Sequence, residues 1–423
     1  MTGTRADEVV VGGGIAGLVL ARRLAMAGRR VVLLESSDRL GGQVRRVEVA
    51  GIDADAGAES FATRGGVVAQ LATEIGLGGD IVSPVESPAW LYRGDGTAHA
   101  LPATSLLGIP GVPLAADVIA SIGTAAAMRA QLDVVLPATV GAQAATLGEL
   151  VRRRMGGAVL EKLVDPIVRG VHSTRANDLP IDRANPGLRA ALLREGSLAH
   201  AVLSLRQRAA AGSQVGGIRG GMARLVDELT ADLDLFGVDV RLDVPIDLGV
   251  ATPERAEGVE GRVTLATSPG ADDDRRVTIV LLAVDAPALD AAPRGTGLLV
   301  AADAPGVRAR ALTHLTAKWE WMRERAHGLH LLRLSFDGHD VPDAVGTARR
   351  DAETLLGVPF AGVVDAVVTP WTRAAPGTHA VDGMRRIGEA ETGTGLAAVI
   401  GGAEREAGRL LDADSTEPDS ASD

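Results

Sequence analysis

The sequence predicts an α/β fold that is interrupted by a helical insertion. Residues 7–88 alternate strand-like and helix-like segments, whereas residues 111–212 are rich in Ala and Leu at helical spacing. Strand-like runs return from Asp239, in VDVRLDV, GRVTLAT and RRVTIVLLAV, and later in GTGLLVAA and GLHLLRLSF. A second glycine-rich segment, GEAETGTGLAAVIGG from Gly388, leads into an amphipathic helix near the end of the chain. The pattern therefore predicts a β-α-β start, a helical insertion and a return to strands.

The composition limits the classes of function. The chain has 423 residues, 46% of them hydrophobic, and a formal net charge of -11, which argues against general nucleic-acid binding. It contains no cysteine, which excludes disulfides and iron–sulfur clusters, and its histidines show no metal-ligand spacing, so no metal is expected. The first apolar run follows Asp7 and Glu8 and is broken by glycines, which predicts a strand and turn instead of a signal peptide. A cytoplasmic location is expected.

The first glycine-rich turn carries a nucleotide-binding pattern. Gly12, Gly14 and Gly17 form G-x-G-x-x-G between an apolar strand and the helix GLVLARRLAMAG. Glycines at this spacing allow a tight turn and a close approach of the backbone to a pyrophosphate. Glu35 ends the next strand, VVLLES, where a carboxylate accepts hydrogen bonds from an adenosine ribose and disfavours a 2′-phosphate. The pattern predicts a Rossmann-type dinucleotide site; the alternative is a glycine-rich turn with a solvated glutamate.

The stretch after Glu35 favours FAD over a nicotinamide cofactor. In ESSDRLGGQVRR, Arg39 and the pair Gly41-Gly42 offer a guanidinium and a second close backbone approach to an extended pyrophosphate. The small-residue passage Gly57-Ala58, within DAGAESFATR at 55–64, is expected to lie against the flavin ring. The pattern E-x-x-x-R-x-G-G resembles that of FAD proteins of the amine-oxidase superfamily, although each glycine taken singly also fits an ordinary turn.

The second glycine-rich segment has a place in the same site. Thr394, Gly395 and Leu396 would present backbone N–H groups to the flavin ring, and the helix N-terminus would stabilise negative charge on the reduced flavin. The alternative is a terminal amphipathic helix with a glycine-rich lead-in. The chain has no second G-x-G-x-x-G, so a separate NAD(P)H site is not expected and O2 is the predicted electron acceptor.

Together these segments resemble the oxygen-dependent protoporphyrinogen/coproporphyrinogen oxidases. The resemblance rests on the N-terminal segment through DRLGGQVRR, on DPIVRGVHS and VGGIRGGMARLVDEL, on GTGLLVA with TAKWEW, and on GEAETGTGLAAVI, in the same order. It implies an FAD enzyme of haem biosynthesis with a split FAD domain, an α+β substrate domain and a helical domain that in some relatives touches the membrane. The chain has only DGMRRI between APGTHAV and GEAETG, where the family has a longer segment, so Thr378-His379 matches the family imperfectly.

The resemblance also sets expected boundaries and site residues. The FAD domain is expected at 1–88, 213–287 and 379–411, the substrate domain at 89–110 and 288–378, the helical domain at 111–212, and a disordered acidic tail at 412–423. The implied cofactor-binding residues are Gly12, Gly14, Ile15, Ala16, Gly17, Glu35, Arg39, Gly41, Gly42, Gly57, Ala58, Ile246, Glu389, Thr394, Gly395 and Leu396.

Candidates for substrate contact are fewer. Gly297 and Leu299 resemble the family's segment beneath the macrocycle, or form a plain buried strand. Lys318, one of only two lysines, either assists at flavin N5 or is solvated. Arg45 and Arg64 adjoin the segments expected at the flavin and suit bidentate capture of carboxylates, which favours coproporphyrinogen III, with four propionates, over protoporphyrinogen IX, with two.

No catalytic side chain is assigned, because dehydrogenation of a porphyrinogen needs positioning more than a protein nucleophile. Two alternatives stay open: another flavin amine oxidase or desaturase, and a catalytically impaired flavin- or porphyrin-binding protein. Peripheral membrane contact through the helical domain is expected from the resemblance, and the oligomeric state is not assigned.

Overall fold

The computed structural model describes residues 4–63, 65–172, 174–209, 215–245, 247, 251–267, 275–301, 303–373 and 383–415. Packing divides the chain into two units. The first unit comprises Met1–Ser83, Gln214–Val277 and Thr369–Asp423, and the second unit comprises Pro84–Ser213 and Thr278–Val368. The first unit therefore draws on three separated parts of the chain.

The strands in the described residues are, in chain order, β1 (Thr4–Val11), β2 (Val31–Leu34), β3 (Arg46–Val49), β4 (Ile52–Asp55), β5 (Phe61–Ala62), β6 (Ile81–Val82), β7 (Trp90–Tyr92), β8 (Ala98–Ala100), β9 (Ser105–Leu106), β10 (Ile109–Pro110), β11 (Val215–Ile218), β12 (Asp239–Arg241), β13 (Arg255–Ala256), β14 (Val259–Leu265), β15 (Arg275–Val284), β16 (Gly297–Val300), β17 (Ala311–His314), β18 (His330–Asp337), β19 (Val363–Arg373) and β20 (Arg385–Arg386).

The α-helices of the same residues are α1 (Ile15–Met26), α2 (Val67–Glu74), α3 (Ala116–Ile122), α4 (Thr124–Gln131), α5 (Leu147–Met155), α6 (Gly157–Val159), α7 (Asp165–His172), α8 (Ile181–Ala184), α9 (Leu188–Glu195), α10 (Leu198–Ala209), α11 (Ala223–Leu235), α12 (Leu315–Lys318), α13 (Glu320–Arg325), α14 (Ala344–Leu356), α15 (Glu389–Thr392) and α16 (Leu396–Ser415).

A six-stranded sheet forms the centre of the first unit. Its strand order is β12-β2-β1-β14-β13, with β20 also paired to β14. All of these pairs are parallel except β13–β14. The predicted β-α-β start is confirmed, since β1 and β2 pair in parallel and α1 connects them. All four residues of β2 are buried, as expected for a parallel strand that is covered on both faces.

One hydrophobic core joins the three parts of the first unit. Leu18 on α1, Leu229 on α11 and Ile400 on α16 belong to the same buried cluster, and each is 0% exposed. An ion pair adds to this packing, because Arg23 Nε lies 2.7 Å from Glu404 Oε2 and ties α1 to α16. The end of the chain therefore completes the core that surrounds the first helix.

The last helix runs further than the sequence indicates. α16 begins at Leu396, as predicted, and continues to Ser415. The tail expected to be disordered from Asp412 is therefore helical as far as Ser415, because Ala407 and Leu410 still pack into the core of the first unit. Residues 416–423 lie outside the described part of the chain.

The second unit contains a seven-stranded sheet and a set of helices. The strand order is β19-β15-β18-β17-β16-β7-β8, and Leu282, Leu334 and Leu355 share a buried cluster between the sheet and α14. Residues 116–209 form α3 to α10 around a separate cluster, so the helical character predicted for this stretch is confirmed. The finer division into a substrate domain and a helical domain stays a prediction.

A buried ion pair fastens the helices of the second unit. Arg154 on α5 and Asp133 are both 0% exposed, and Arg154 Nε donates to the Asp133 carboxylate. The Arg154 guanidinium also donates to the carbonyl oxygens of Val140 at 2.9 Å and Gly196 at 3.2 Å. The Asp133 carboxylate accepts in turn from the Ala199 N–H at 2.7 Å, at the start of α10. This pair therefore connects a loop and two helices through groups that are fully removed from water.

Large apolar side chains are exposed on α4 and in the turn after it. Among the described residues no single helix is long and apolar enough to cross a membrane. The segments Ala116–Ile122 and Thr124–Val135, which are bent by 118° relative to each other, reach that length and apolar composition only when taken together. Met128, Leu132 and Val135 are 56%, 52% and 77% exposed.

A buried histidine pair lies on β17 and β18. His314 Nε2 and His330 Nδ1 are 3.0 Å apart, and the two residues are 1% and 7% exposed. Burial, with a further contribution from the neighbouring His330, lowers the pKa of His314 to about 3. Burial also lowers the pKa of His330, although the Asp290 carboxylate opposes the shift. Both imidazoles are therefore neutral in the folded protein at neutral pH.

We expect acid to destabilise the protein through His314. The unfolded chain protonates this imidazole near pH 6.5 and the folded protein near pH 3, so the stabilising contribution is complete above pH 6.5 and declines as the pH falls. Between about pH 7.5 and 5 the loss amounts to about 2 kcal/mol. In urea unfolding, the free energy of unfolding of wild type should fall by about 2 kcal/mol more over this pH range than that of His314→Gln. Substitution of the exposed His200 in His200→Gln should give the same pH dependence as wild type. Identical pH slopes for His314→Gln and wild type would contradict the expectation.

Candidate functional site

The first glycine-rich turn leaves an open space in front of α1. Two glycines of the motif are required by the backbone fold. Gly12 has a φ of +110°, and a Cβ atom on Gly17 would lie 1.9 Å from the Gly12 carbonyl oxygen. Gly14 differs: its φ of -71° and ψ of 176° suit any residue, and a Cβ atom there would meet no atom within 4 Å. Gly14 caps α1, where free backbone N–H groups bind phosphate. The residues present therefore fit the pyrophosphate of a dinucleotide.

The glycine pair after Arg39 passes beside this turn. The Gly41 N–H donates to the Gly13 carbonyl at 2.8 Å, and a Cβ atom on Gly42 would lie 3.2 Å from the Gly14 Cα. Arg39 Nη2 donates to the Gly42 carbonyl at 3.0 Å, and burial lowers the pKa of this guanidinium. The structure thus brings these residues together at the start of α1, and their contact with FAD stays a prediction.

Glu35 lies at the carboxyl end of β2, beside the same turn. Its Oε2 accepts from the Gly13 N–H at 2.6 Å, and its Oε1 accepts from the Ser37 N–H at 2.8 Å and the Ser37 hydroxyl at 2.7 Å. The carboxylate is thereby oriented at the carboxyl edge of a parallel sheet, the edge at which ligands bind in open α/β sheets. Its contact with a ribose stays a prediction.

The passage around Gly57 is held by two hydrogen bonds and is closely packed. The Ala56 N–H donates to the Arg45 carbonyl at 2.9 Å, and the Ala56 carbonyl accepts from Trp371 Nε1 at 2.9 Å. A Cβ atom on Gly57 would lie 2.0 Å from the Gln43 carbonyl oxygen. The passage therefore lies directly against the segment that follows the glycine pair, and position 57 requires glycine.

Three residues that sequence reasoning missed hold this region together. Besides Trp371, they are Gln43, whose Nε2 lies 3.3 Å from Glu389 Oε2, and Asp55, which is 4% exposed and accepts from the Met222 N–H at 2.9 Å. Asp55 thereby caps the start of α11. Gln43 and Asp55 are marked in the sequence only by their closeness to the small-residue segments, and no sequence signal marks Trp371 as a neighbour of the passage.

The second glycine-rich segment lies at the same edge of the sheet. The Ile387 N–H donates to the Leu265 carbonyl at 2.9 Å, so the chain leaves the sheet at the carboxyl end of β14. A Cβ atom on Gly388 would lie 4.0 Å from the Ala16 Cβ on α1. The structure therefore brings the start of this segment, at Gly388, to the edge that holds the first turn. Contact of residues 394–396 with a flavin stays a prediction.

Some predicted contacts cannot be placed. Arg64, Ile246 and Thr378-His379 lie outside the described residues. Arg45 is described and exposed. The pKa of Arg39 is lowered mainly by burial and secondly by the positive charge of Arg45, so the two guanidinium groups are neighbours.

In the second unit, Gly297 and Leu299 lie on β16. A Cβ atom on Gly297 would lie 2.2 Å from a backbone carbonyl oxygen of β17, so pairing of the two strands requires glycine there. Leu298 is 4% exposed and faces the core, whereas Leu299 points to the opposite face and is half-buried. Lys318 Nζ lies 5.1 Å from the centroid of the Trp319 ring in a cation–π contact. Roles for Gly297, Leu299 and Lys318 beside a substrate or flavin stay predictions.

Comparison of sequences finds relatives along most of the chain. The family model described as flavin containing amine oxidoreductase matches residues 15–314. Coproporphyrinogen III oxidase of Mycobacterium tuberculosis (strain ATCC 25618 / H37Rv) is 29% identical over 400 residues, which cover 87% of this chain and 86% of that protein. The Mycobacterium leprae protein of the same name is 33% identical over 230 residues, 53% of this chain and 51% of that protein.

Comparison of structures shows the same fold in solved proteins. A protein described as a protoporphyrinogen oxidase from Exiguobacterium sp. 255-15 has a TM-score of 0.80 at 21% identity, covering 97% of this chain and 100% of that one. Putrescine oxidase bound to putrescine has a TM-score of 0.63 at 15% identity, covering 96% of this chain and 99% of that one. The mixed α/β fold is therefore shared with both.

Proposed function

The chain belongs to the flavin-containing amine oxidoreductase family, and on that premise we propose that it is an FAD-dependent oxidase that dehydrogenates a porphyrinogen, preferentially coproporphyrinogen III. The observation that carries this proposal is the similarity to coproporphyrinogen III oxidase over 87% of the chain. The open space at Gly14, in front of a helix N-terminus, supports FAD as the cofactor. O2 is the proposed electron acceptor, because the sequence holds one dinucleotide motif and no second.

Binding and orientation are the proposed contributions of the protein. FAD, when bound, would supply the acceptor for the hydride that leaves a meso carbon of the porphyrinogen, while a pyrrole N–H proton is lost. The N–H groups at the start of α1 would hold the pyrophosphate and Glu35 would hold the ribose, and Trp371 keeps the passage at Gly57 in place. In the second unit, the face of β16 that carries Leu299 supports the macrocycle. The rate then depends on positioning, and no side chain has to act as a nucleophile.

The same proposal includes the finer domain layout. The FAD-binding domain comprises 1–88, 213–287 and 379–411, the substrate domain 89–110 and 288–378, and the helical domain 111–212. The three separated parts of the first unit support a split FAD domain.

Preference for four propionates over two rests on arginines near the cofactor site. Arg45 is exposed beside Arg39, and Arg64 follows the passage at Gly57 in the sequence. An exposed ion pair contributes only about 0–1 kcal/mol, so the preference is modest and declines as salt rises.

Anaerobic addition of coproporphyrinogen III to the purified protein tests the proposal. We expect the flavin absorbance to bleach and to return, with formation of peroxide, when O2 is admitted. NADH and NADPH should leave the flavin oxidised, and protoporphyrinogen IX should react with a lower kcat/KM at low salt. Bleaching by NAD(P)H alone, or none by either porphyrinogen, would contradict the proposal. Reduction by amines or carotenoids would then support another oxidase or desaturase, and tight porphyrin binding without turnover would support an impaired binding protein.

We further propose a cytoplasmic enzyme that touches the membrane peripherally. The exposed Met128, Leu132 and Val135 support this contact, since apolar side chains on a short amphipathic segment insert into the interface without spanning the bilayer. Sedimentation with phosphatidylcholine vesicles should carry down wild type and leave the triple serine variant in solution. Wild type that stays in the supernatant would exclude the contact.

A further inference from the structure

A cavity lies at the amino edge of the central sheet of the first unit. Its volume is about 360 Å³, which is within the range of small-molecule sites. The first residues of β1, β2 and β12 line it, together with the turns that follow α1 and α11. Arg5, in this cavity, and Gly12, in the first glycine-rich turn, are separated by most of the length of β1, roughly 23 Å. The cavity is therefore separate from the candidate cofactor site at the carboxyl edge.

The lining of this cavity runs from the hydrophobic core out to solvent. Its inner wall is apolar, since Ala25, Val31 and Val32 are only 8%, 3% and 3% exposed. Phe236, also in the lining, is 37% exposed and places an aromatic ring toward the opening. Gly28, in the same lining, is exposed and carries no side chain that could cover the opening. A ligand can therefore enter from solvent and contact both buried aliphatic groups and an aromatic ring.

Ion pairs already neutralise the carboxylates beside the cavity. Asp239 belongs to the lining, and its Oδ2 lies 2.6 Å from Arg241 Nη2. Arg30 also belongs to the lining, and its Nη2 lies 2.8 Å from Asp7 Oδ1. These four charges balance one another, so they do not repel a further anion.

Arg5 adds a positive charge at the opening. Its side chain is exposed, and within the described ranges no carboxylate forms an ion pair with it. Carbonyl groups at the ends of α1 and α11 would oppose an anion there. Two of them are already hydrogen-bonded, because the Leu24 carbonyl accepts from the Arg29 N–H at 3.1 Å and the Leu233 carbonyl accepts from the Val238 N–H at 2.9 Å. The cavity therefore combines an apolar wall with a cation that an anionic ligand can reach.

From this arrangement we propose that the cavity at the amino edge binds a small aromatic carboxylate, at a site separate from those of the flavin and of its substrate. The ring of the ligand packs against Val31 and Val32, beside the ring of Phe236, where two aromatic rings attract each other. The carboxylate faces Arg5, whose planar guanidinium donates two parallel hydrogen bonds to such a group. Because Arg5 is exposed, this charged contact is modest and weakens as salt rises.

Calorimetric titration of the full-length, FAD-loaded protein with 1-naphthoate and with the neutral 1-naphthamide tests the inference. The two probes share one ring system and differ in charge. At low salt, wild type should bind 1-naphthoate with a Kd about 3- to 10-fold lower than that for 1-naphthamide. Arg5→Gln should remove this difference by raising the Kd for 1-naphthoate alone, whereas Arg5→Lys, which keeps the charge, should retain part of it. Phe236→Ser should raise both Kd values by about 3- to 10-fold, because both probes lose the aromatic contact.

Two neighbouring residues outside the cavity supply matched controls. Arg255 on β13 is exposed and, like Arg5, pairs in register with Glu260 on β14. Leu235 directly precedes Phe236 and is 74% exposed. Arg255→Gln and Leu235→Ser should leave both Kd values, and the FAD content, as in wild type.

Three results would overturn the inference. The first is a wild type that does not bind 1-naphthoate, and the second is a wild type that binds the two probes equally well. The third is an unchanged Kd for 1-naphthoate in both Arg5→Gln and Phe236→Ser, which would place the ligand elsewhere. If Phe236→Ser fails to fold, the Kd of Arg5→Gln decides alone.

Discussion

Gly14→Val is expected to abolish FAD binding and to leave the protein folded. The backbone at Gly14 has a φ of -71° and a ψ of 176°, which valine adopts without strain, and a Cβ atom there would meet no protein atom within 4 Å. The valine side chain would instead fill the space in front of α1, where the pyrophosphate has to approach the backbone N–H groups. We expect the FAD-to-protein ratio after desalting to fall from about one to below about a tenth.

Gly79→Val provides the matched control. Gly79 is exposed in the turn Gly78–Asp80 of the first unit, and a Cβ atom on it would also meet no atom within 4 Å. This variant should keep its FAD, and both variants should show the circular dichroism of the wild-type protein. Retention of stoichiometric FAD by Gly14→Val would place the pyrophosphate elsewhere, and loss of FAD from Gly79→Val would show that the assay reports general damage.

Arg154→Met is expected to lower the free energy of unfolding of the second unit by about 3–5 kcal/mol, the cost of leaving one member of a buried ion pair without its partner. The Asp133 carboxylate would stay 0% exposed with only backbone N–H groups to balance it. The carbonyl oxygens of Val140 and Gly196 would lose a charged donor as well. Urea unfolding, followed by circular dichroism at a fixed protein concentration, measures the change.

The neighbouring arginine supplies the control for this prediction. Arg153 is the preceding residue of the same helix, its side chain is 54% exposed, and its Nη2 lies 2.5 Å from Glu149. Exposed pairs of this kind contribute about 0.3–0.5 kcal/mol, so Arg153→Met should unfold almost as wild type does. Equal destabilisation by the two substitutions would mean that Arg154 acts through helix propensity and not through its buried contacts.

The local parts of the nucleotide-binding turn were readable from the sequence alone. Gly12 and Gly14 lie in the turn, Gly17 lies at the start of α1, and Glu35 directly follows β2, close to where the spacing predicts them. A strand, a tight turn and the start of a helix depend mainly on residues close by in the sequence. The pattern of glycines and apolar residues is therefore sufficient to predict them. The end of α16 could not be predicted from the local sequence, because it depends on whether the last apolar residues pack against a core built from distant segments.

Only the tertiary structure decided which distant residues act together. The sequence offers three successive arginines at 152–154, and just the last of them is buried, because the rotation of α5 turns it toward Asp133. Trp371 reaches the passage at Gly57 for a comparable reason, since a strand end from far along the chain is packed there. Arg5 and Phe236 line one cavity only through the parallel register of β1, β2 and β12, which brings the turn after α11 level with the start of β1. The sequence by itself therefore determined which chemical groups this protein has and how its short segments turn, whereas helix rotation and strand register, which depend on packing of the whole core, decided which of those groups meet.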